Sequence, residues 1–288
     1  MSGTQSASPT VLRMILARQL QELREKAGLS YEHAAEAIYS SPWTVRRIER
    51  PDGGGLKPLT VKSLLMAYGI TDVREIDAFL ALAKDASKPG WWHSYDDVLP
   101  SWFKVAVGLE ESATLIRAYE PQVVPGLLQT EGYVRAITAA SFPAAAQDFT
   151  ERTVALRLAR QQLLQRADPP GYWVVLDETV LRRTIGGRHV MREQIAHLIT
   201  AAEQPGITIQ VIPFAAGWHP ALYGMFNIFR FADDQMPDIV YSEALSGAYY
   251  LNKPEETARY TQALDAMCVQ AASPEQTITI LRDILKET

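Results

Sequence analysis

The 288-residue sequence predicts a mainly α N-terminal domain of five helices, followed by an α+β domain with a small, largely antiparallel sheet. Three observations carry this expectation. Apolar residues recur at helical spacing through the first 85 or so positions, punctuated by capping residues and glycines. Lys88-Pro89-Gly90 then interrupts the pattern. Beyond residue 170 the period shortens, and β-branched runs bounded by Pro or Gly take over.

The elements follow in order. Met1 to Pro9 is small and polar, so 1–10 is expected to be a disordered lead-in without a signal sequence. Leu12, Ile15, Leu16, Leu20 and Leu23 form an apolar stripe over 11–27, ended by Gly28. Ser30 is placed to cap a second helix with Ala34, Ala35 and Ile38 apolar. Ser41 caps a third, with Pro42 at the first helical position, where its missing N–H costs nothing. Val45 and Ile48, three apart, can pack back on the second helix, which directs Trp43, Thr44, Arg46 and Arg47 outward. Pro51 to Gly55 reads as a loop, Thr60 as the cap of a fourth helix, and Asp72 as the start of a fifth. The domain is thus expected over 11–87.

Residues 88–108, with Trp91-Trp92 and Trp102-Phe103, read as an aromatic linker that docks one domain on another or binds a ligand. In the domain expected over 109–288, helices are predicted at Gly108–Ala118, Leu127–Ala140 and Thr150–Arg166. Tyr172–Asp177 and Ile207–Ile212 read as strands flanking a helix from Val190 to Glu203. Phe226–Phe231 and Asp238–Glu243 read as a hairpin around a turn at 232–237, with Tyr249–Leu251 as a short edge. Glu255–Gln270 and Pro274–Leu285 read as closing helices.

Two helices through a tight turn, the second outward-facing with Trp and paired arginines, suit entry into a DNA major groove. Charge supports this. Residues 1–70 hold nine Lys/Arg against six Asp/Glu, a balance of +3, while the remainder holds 19 against 27, a balance of −8, together the net −5. So small a positive balance points to a few placed phosphate contacts and to dimerisation rather than to a large basic surface. The lone Cys268, in an apolar helical run, excludes an internal disulfide and a cysteine-based metal site, and suits a reducing cytoplasm. No apolar run reaches transmembrane length.

The stretch Ser30 to Arg50 resembles the Cro/C1-type (XRE) helix-turn-helix family. Small Ala35 stands where the helices must cross closely, and Thr44-Val45-Arg46-Arg47-Ile48-Glu49 follows the family pattern. Tyr39 departs from the usual glycine of the turn, which needs positive φ, and Ser40 from an apolar residue. The resemblance implies Trp43 and Arg47 at base edges, with Arg47 bidentate to guanine and Trp43 on thymine methyl groups. It implies Tyr31, Ser41, Pro42, Thr44 and Arg46 at or near the phosphates, flanked by Arg50, Lys57 and Lys62.

A second resemblance covers roughly 93–280. Glu120 to Tyr133, Arg157 to Gln161, Leu176 to Arg183, Gly186 to Met191 and Gln210 to Pro213 look like the actinobacterial domain of unknown function (the DUF5753 type, in WhiJ-like regulators) that follows a Cro/C1-type head. It implies a transcriptional regulator of actinobacterial development, a repressor by expectation, encoded beside a small partner protein. The expected partners are therefore double-stranded operator DNA, a second copy of the chain and that small protein. An antitoxin-like interaction module is the alternative. The expected place is the cytoplasm, at the nucleoid, and no membrane.

Enzymatic chemistry would have to come from Asp177, Glu178, Glu243, His189, His219 or Arg183. No HExxH, GxSxG, Walker A or GxGxxG motif accompanies them, so no catalysis, cofactor or metal is expected. Gly186-Gly187 opens a helix and reads as a tight turn or an anion cradle. Tyr133, Asp177, Glu178, Arg182, Trp218 and Glu243 are the candidates for a ligand or partner pocket. Equally, Asp177 and Glu178 can cap the following helix and pair with Arg182 or Arg183.

Overall fold

A computed structural model of the chain describes residues 7–50, 56–222, 224–233 and 236–288. The chain divides into two compact units: residues up to Ser94 with Lys104–Ser112, and Tyr95–Phe103 with Ala113–Thr288.

The first unit begins with α1 (Pro9–Lys26), α2 (Tyr31–Ala37), α3 (Pro42–Ile48), α4 (Pro58–Ala67) and α5 (Val73–Ala86). Their apolar faces meet in one core built on Leu16, Leu20, Ala34, Val45, Ile48, Val61, Leu64, Leu65 and Ile76. Ser30, Ser41 and Asp72 act as N-caps, each accepting a backbone N–H of its helix's first turn. Thr60 does not: α4 starts two residues earlier, at Pro58, which supplies a preset φ, behind Lys57 with no side-chain cap. The lead-in is also shorter than expected, because Ser8 caps α1 and Pro9 and Thr10 are helical; residues 1–6 lie outside the described residues, as do 51–55 of the expected loop.

The unit is more than a five-helix body. The segment expected as an aromatic linker contains a 3₁₀ turn, Trp91–Tyr95, and the start of α6 (Ser101–Ser112). Lys104–Ser112 of α6 closes on the start of α1, where Ser8 Oγ donates to Gly108 O at 2.5 Å and Ser8 N to Ser112 Oγ at 2.7 Å. Gly108 permits that approach, since a Cβ there would overlap the Thr10 side chain. Trp92 is buried, and Trp91 donates to Glu111 at 3.0 Å. Twelve α-helices are present among the described residues of the whole chain.

The second unit holds a six-stranded mixed sheet in the order β3-β2-β1-β4-β5-β6. The strands are β1 (Leu115–Glu120), β2 (Gly171–Asp177), β3 (Ile207–Ile212), β4 (Phe226–Arg230), β5 (Ile239–Ala244) and β6 (Gly247–Leu251). β1 pairs parallel with β2, and β2 with β3; the other three pairings are antiparallel. The sheet is thus neither small nor largely antiparallel. The source of the difference is β1, which was expected to be the end of a helix. It is central, flanked by β2 and β4, and pairing on both edges overrides its weak local preference. Helical crossovers then make the parallel half possible. α7 (Glu131–Ser141) and α8 (Gln147–Gln161) lie between β1 and β2, and α9 (Glu178–Arg182) and α10 (Arg188–Ala202) between β2 and β3.

The expected helix 150–166 is α8 continued by a 3₁₀ turn, Gln162–Gln165, and Leu127–Ala140 is a 3₁₀ turn followed by α7. The hairpin forms as expected, with Ile228 opposite Val240; residues 234 and 235 of its turn lie outside the described residues. α11 (Pro254–Gln270) and α12 (Pro274–Glu287) close the chain. One face of the sheet buries Tyr119, Val175, Ile212, Phe226, Ile228 and Val240 against Leu264 and Met267.

Candidate DNA-binding surface

The recognition surface is built from α2, the turn and α3. Tyr39 in that turn has φ +49°, the one positive φ outside glycine among the described residues, and its side chain is fully exposed. A non-glycine residue therefore carries the conformation for which glycine is preferred. Ser41 Oγ accepts from Thr44 N at 3.3 Å, and Thr44 Oγ1 lies 2.8 Å from Ser40 Oγ and 3.1 Å from Ser41 Oγ. These hydroxyls fix the first turn of α3.

Val45 and Ile48 are buried, as their spacing predicts, and anchor one face of α3. The opposite face carries Trp43, 64 % exposed, with exposed Arg46 and half-buried Arg47. Arg47 Cζ stands 4.9 Å from the centroid of the Trp43 ring. Tyr31 receives two guanidinium groups, Arg24 at 4.0 Å and Arg46 at 4.9 Å from its ring centroid. Ser41 and Arg50 are exposed, and Pro42 is half-buried. Lys57 and Lys62 are exposed at the start and middle of α4.

A buried network holds α3 in place, and the sequence reading missed it. Arg24 Nε donates to both carboxylate oxygens of Glu49, at 3.1 and 2.9 Å. Tyr68 OH donates to Glu49 Oε1 at 2.9 Å, and Arg24 Nη1 to Leu29 O at 3.0 Å. The Glu49 side chain is 1 % exposed. Burial pushes its carboxyl above the usual range, outweighing the opposing pull of Arg24 and Tyr68. Burial opposes the Arg24 charge, yet its hydrogen bonds and attraction to Glu49 hold the guanidinium above its ordinary value. Tyr68 is raised by burial and by Glu49. The signal was available: Arg24 falls four residues after Leu20, on the apolar stripe of α1, and an arginine there needs a buried partner.

The six pocket candidates all lie in the second unit. Asp177 ends β2 and caps α9, its Oδ1 accepting from Thr179 N at 2.8 Å. Glu178 accepts from Arg182 at 2.5 Å and from Phe214 N at 2.9 Å, and Arg182 also reaches Glu287 at 2.9 Å. These three are the capping and ion-pair arrangement weighed above. Tyr133 is buried, its hydroxyl accepting from Val124 N at 3.2 Å. Glu243 is exposed and accepts from Tyr241 OH at 2.7 Å, and Trp218 is exposed. An open depression of about 670 Å³, bordered by Leu56, Lys57, Pro58, Leu80, Lys84 and Ser87, contains none of the six.

Near the carboxyl ends of β1 and β2, Tyr119 and Glu120 are buried titratable residues that sequence reasoning missed, while His219 and Asp177 were among its candidates. Glu120 is buried, and its carboxyl is pushed up to about 8 by burial and by the charge of Glu243, with Arg157 and Arg160 pulling the other way. His219 is buried, with Nε2 3.2 Å from Tyr119 OH and 3.8 Å from Asp177 Oδ2. Its Nδ1 is buried without a partner among the described residues. His189 is exposed and lies 3.3 Å from Glu193, one turn along α10. Among the described residues no group of His, Cys, Asp and Glu has the arrangement to hold a metal, and no helix is long and apolar enough to cross a membrane.

Residues 15–79 match the family described as Helix-turn-helix domain, and residues 103–283 match Domain of unknown function (DUF5753). Comparison with curated proteins and with solved structures gives no match.

Proposed function

Because the chain belongs to the DUF5753 family and carries a helix-turn-helix domain ahead of that region, we propose that it is a sequence-specific transcriptional repressor. In this reading the second unit senses a ligand or binds a small partner protein. The helix-turn-helix domain itself makes the chain a DNA-binding regulator. The observation that supports sequence specificity is α3. Its Val45 and Ile48 are spent on the core, while Trp43, Arg46 and Arg47 remain on the open face. Arg46, Arg50, Lys57 and Lys62 supply cations for phosphates on either side.

One seven-residue recognition helix contacts too few base pairs for useful discrimination, so we read the active form as a homodimer on two half-sites about 34 Å apart. The contact of His219 with Tyr119 and Asp177 favours the second unit as the regulatory part, since ligands of α/β sheets gather at the carboxyl ends of parallel strands. In vitro selection from random duplex DNA with the full chain tests the reading. Enrichment of a two-fold symmetric motif is the expected result, and an unenriched pool at moderate salt would remove it.

A further inference from the structure

The open depression of about 670 Å³ in the first unit lies between the start of α4 and the second half of α5. Its volume falls in the range that holds a small molecule. Leu56, Pro58, Leu80 and Ala81 supply its apolar lining. Leu56 belongs to the core of the head and Leu80 packs against that core, so helix packing sets the shape of the wall. The polar lining is two exposed lysines, Lys57 and Lys84, together with Ser87, whose hydroxyl already donates to Ala83 O at 2.7 Å.

The charges around the hollow have one sign. No acid lines it, and Asp85, the neighbour of Lys84, is held by Lys88 at 2.7 Å. Neither Lys57 nor Lys84 makes a hydrogen bond or an ion pair among the described residues. Two uncompensated cations beside an apolar wall match a molecule with two complementary parts. A bare inorganic anion would leave the wall in water, and a neutral apolar molecule would leave the lysines without a counter-charge. A cation would be repelled.

We propose that this depression is a binding site for a small amphiphilic anion, a carboxylate on an apolar body, carried by the DNA-binding unit itself. The apolar body lies along Leu56, Pro58, Leu80 and Ala81, and the carboxylate meets Lys57 and Lys84. Lys57 then has two uses, because in the reading above it also faces a DNA phosphate. A bound anion withdraws it and costs one phosphate contact. That link to DNA rests on the DNA-binding reading; the site itself does not.

The test is calorimetric titration of the full chain with hexanoate, octanoate and decanoate as probes, and with decanol as the uncharged comparison. Saturable one-to-one binding is expected, strengthening about two- to fourfold per added methylene as more apolar surface leaves water. The double variant Lys57→Gln, Lys84→Gln should weaken decanoate about fivefold and leave decanol unchanged, since both lysines are exposed and only the charge is removed. Ala81→Trp, at an exposed helical position, should fill the hollow and abolish binding of both probes. With decanoate bound, the slope of log affinity for duplex DNA against log salt should flatten by about 0.9, the worth of one phosphate. No saturable binding, equal losses of decanoate and decanol in the lysine variant, or full binding by Ala81→Trp would overturn the site. An unchanged salt slope with decanoate bound would overturn its link to DNA. The DNA-binding reading fails separately, through the affinity of the chain without any probe.

Discussion

Replacing Arg24 by methionine should destabilise the head by about 3–5 kcal/mol at neutral pH, the usual cost of stranding one member of a buried ion pair. The magnitude follows from the geometry. Arg24 gives Glu49 two hydrogen bonds and its only buried counter-charge in the network, while Tyr68 gives a single neutral one. Without Arg24, a carboxylate whose side chain is 1 % exposed must ionise beside a phenol or take up a proton. Its carboxyl is already raised by burial, and the substitution raises it further. The folded state then binds a proton that the unfolded chain has released, so the variant gains stability as pH falls through the folded value. The penalty should accordingly be largest at about pH 8 and shrink toward about pH 5. Adding Glu49→Gln, which keeps an acceptor for Tyr68, should restore much of the loss and remove its pH dependence. Urea unfolding with segment-resolved hydrogen exchange over α1 and α3 measures both quantities. A loss below about 1 kcal/mol, or one equal at the two pH values, would refute the view that this network fixes the recognition helix.

Other expectations are as direct. Glu120 is pushed up to about 8, from 4.5 in the unfolded chain, so the second unit should lose stability as pH rises between those values. Glu120→Gln should abolish that slope in melting temperature, and a slope shared by both proteins would place the titration elsewhere. Tyr39→Gly should stabilise the head by roughly 1 kcal/mol, because the backbone there is left-handed and the side chain touches little; a destabilised variant would contradict it. Ser41→Ala should cost about 1 kcal/mol through loss of the α3 cap and weaken operator binding, as read by thermal unfolding and fluorescence anisotropy.

Much of the head is legible in the sequence because its determinants are local. Ser30, Ser41 and Asp72 cap where their chemistry says, and Pro42 opens α3. The turn at Tyr39 adopts positive φ although the residue argues against it, since the pairing of α2 and α3 imposes the geometry. Thr60 misleads because Pro58 starts the helix first. In the second unit β3 is visible as a β-branched run between breakers, and the first hairpin strand as a clean alternation of apolar and polar residues. β1 is not: Leu115-Ile116-Arg117-Ala118-Tyr119-Glu120 has one β-branched residue and becomes a strand through its neighbours on both edges. Missing it hides the parallel half of the sheet.

The same division holds for the sites. Trp43 and Arg46 are exposed and Arg47 is half-buried, and their outward direction can be read from the spacing of Val45 and Ile48. What the spacing does not convey is association across the chain. Glu49 meets Arg24 from 25 residues away, and Tyr119 meets His219 from 100. Asp177, Glu178 and Arg182 are local, and their capping and pairing were foreseeable; Glu120 acquires its raised carboxyl only once β1 is buried, with the charge of Glu243 adding to the shift and the α8 arginines opposing it.

In the proposed function, Arg47 on the open face of α3 carries sequence discrimination. Its most direct test is a competition measurement of the selected operator against a scrambled duplex, at one fixed salt concentration, for the wild-type chain and Arg47→Ala. The variant should lose roughly 5- to 150-fold in discrimination, as expected for a bidentate guanine contact. Its salt-dependent affinity for the scrambled duplex should change far less. An unchanged ratio of operator to scrambled affinity in Arg47→Ala would contradict it.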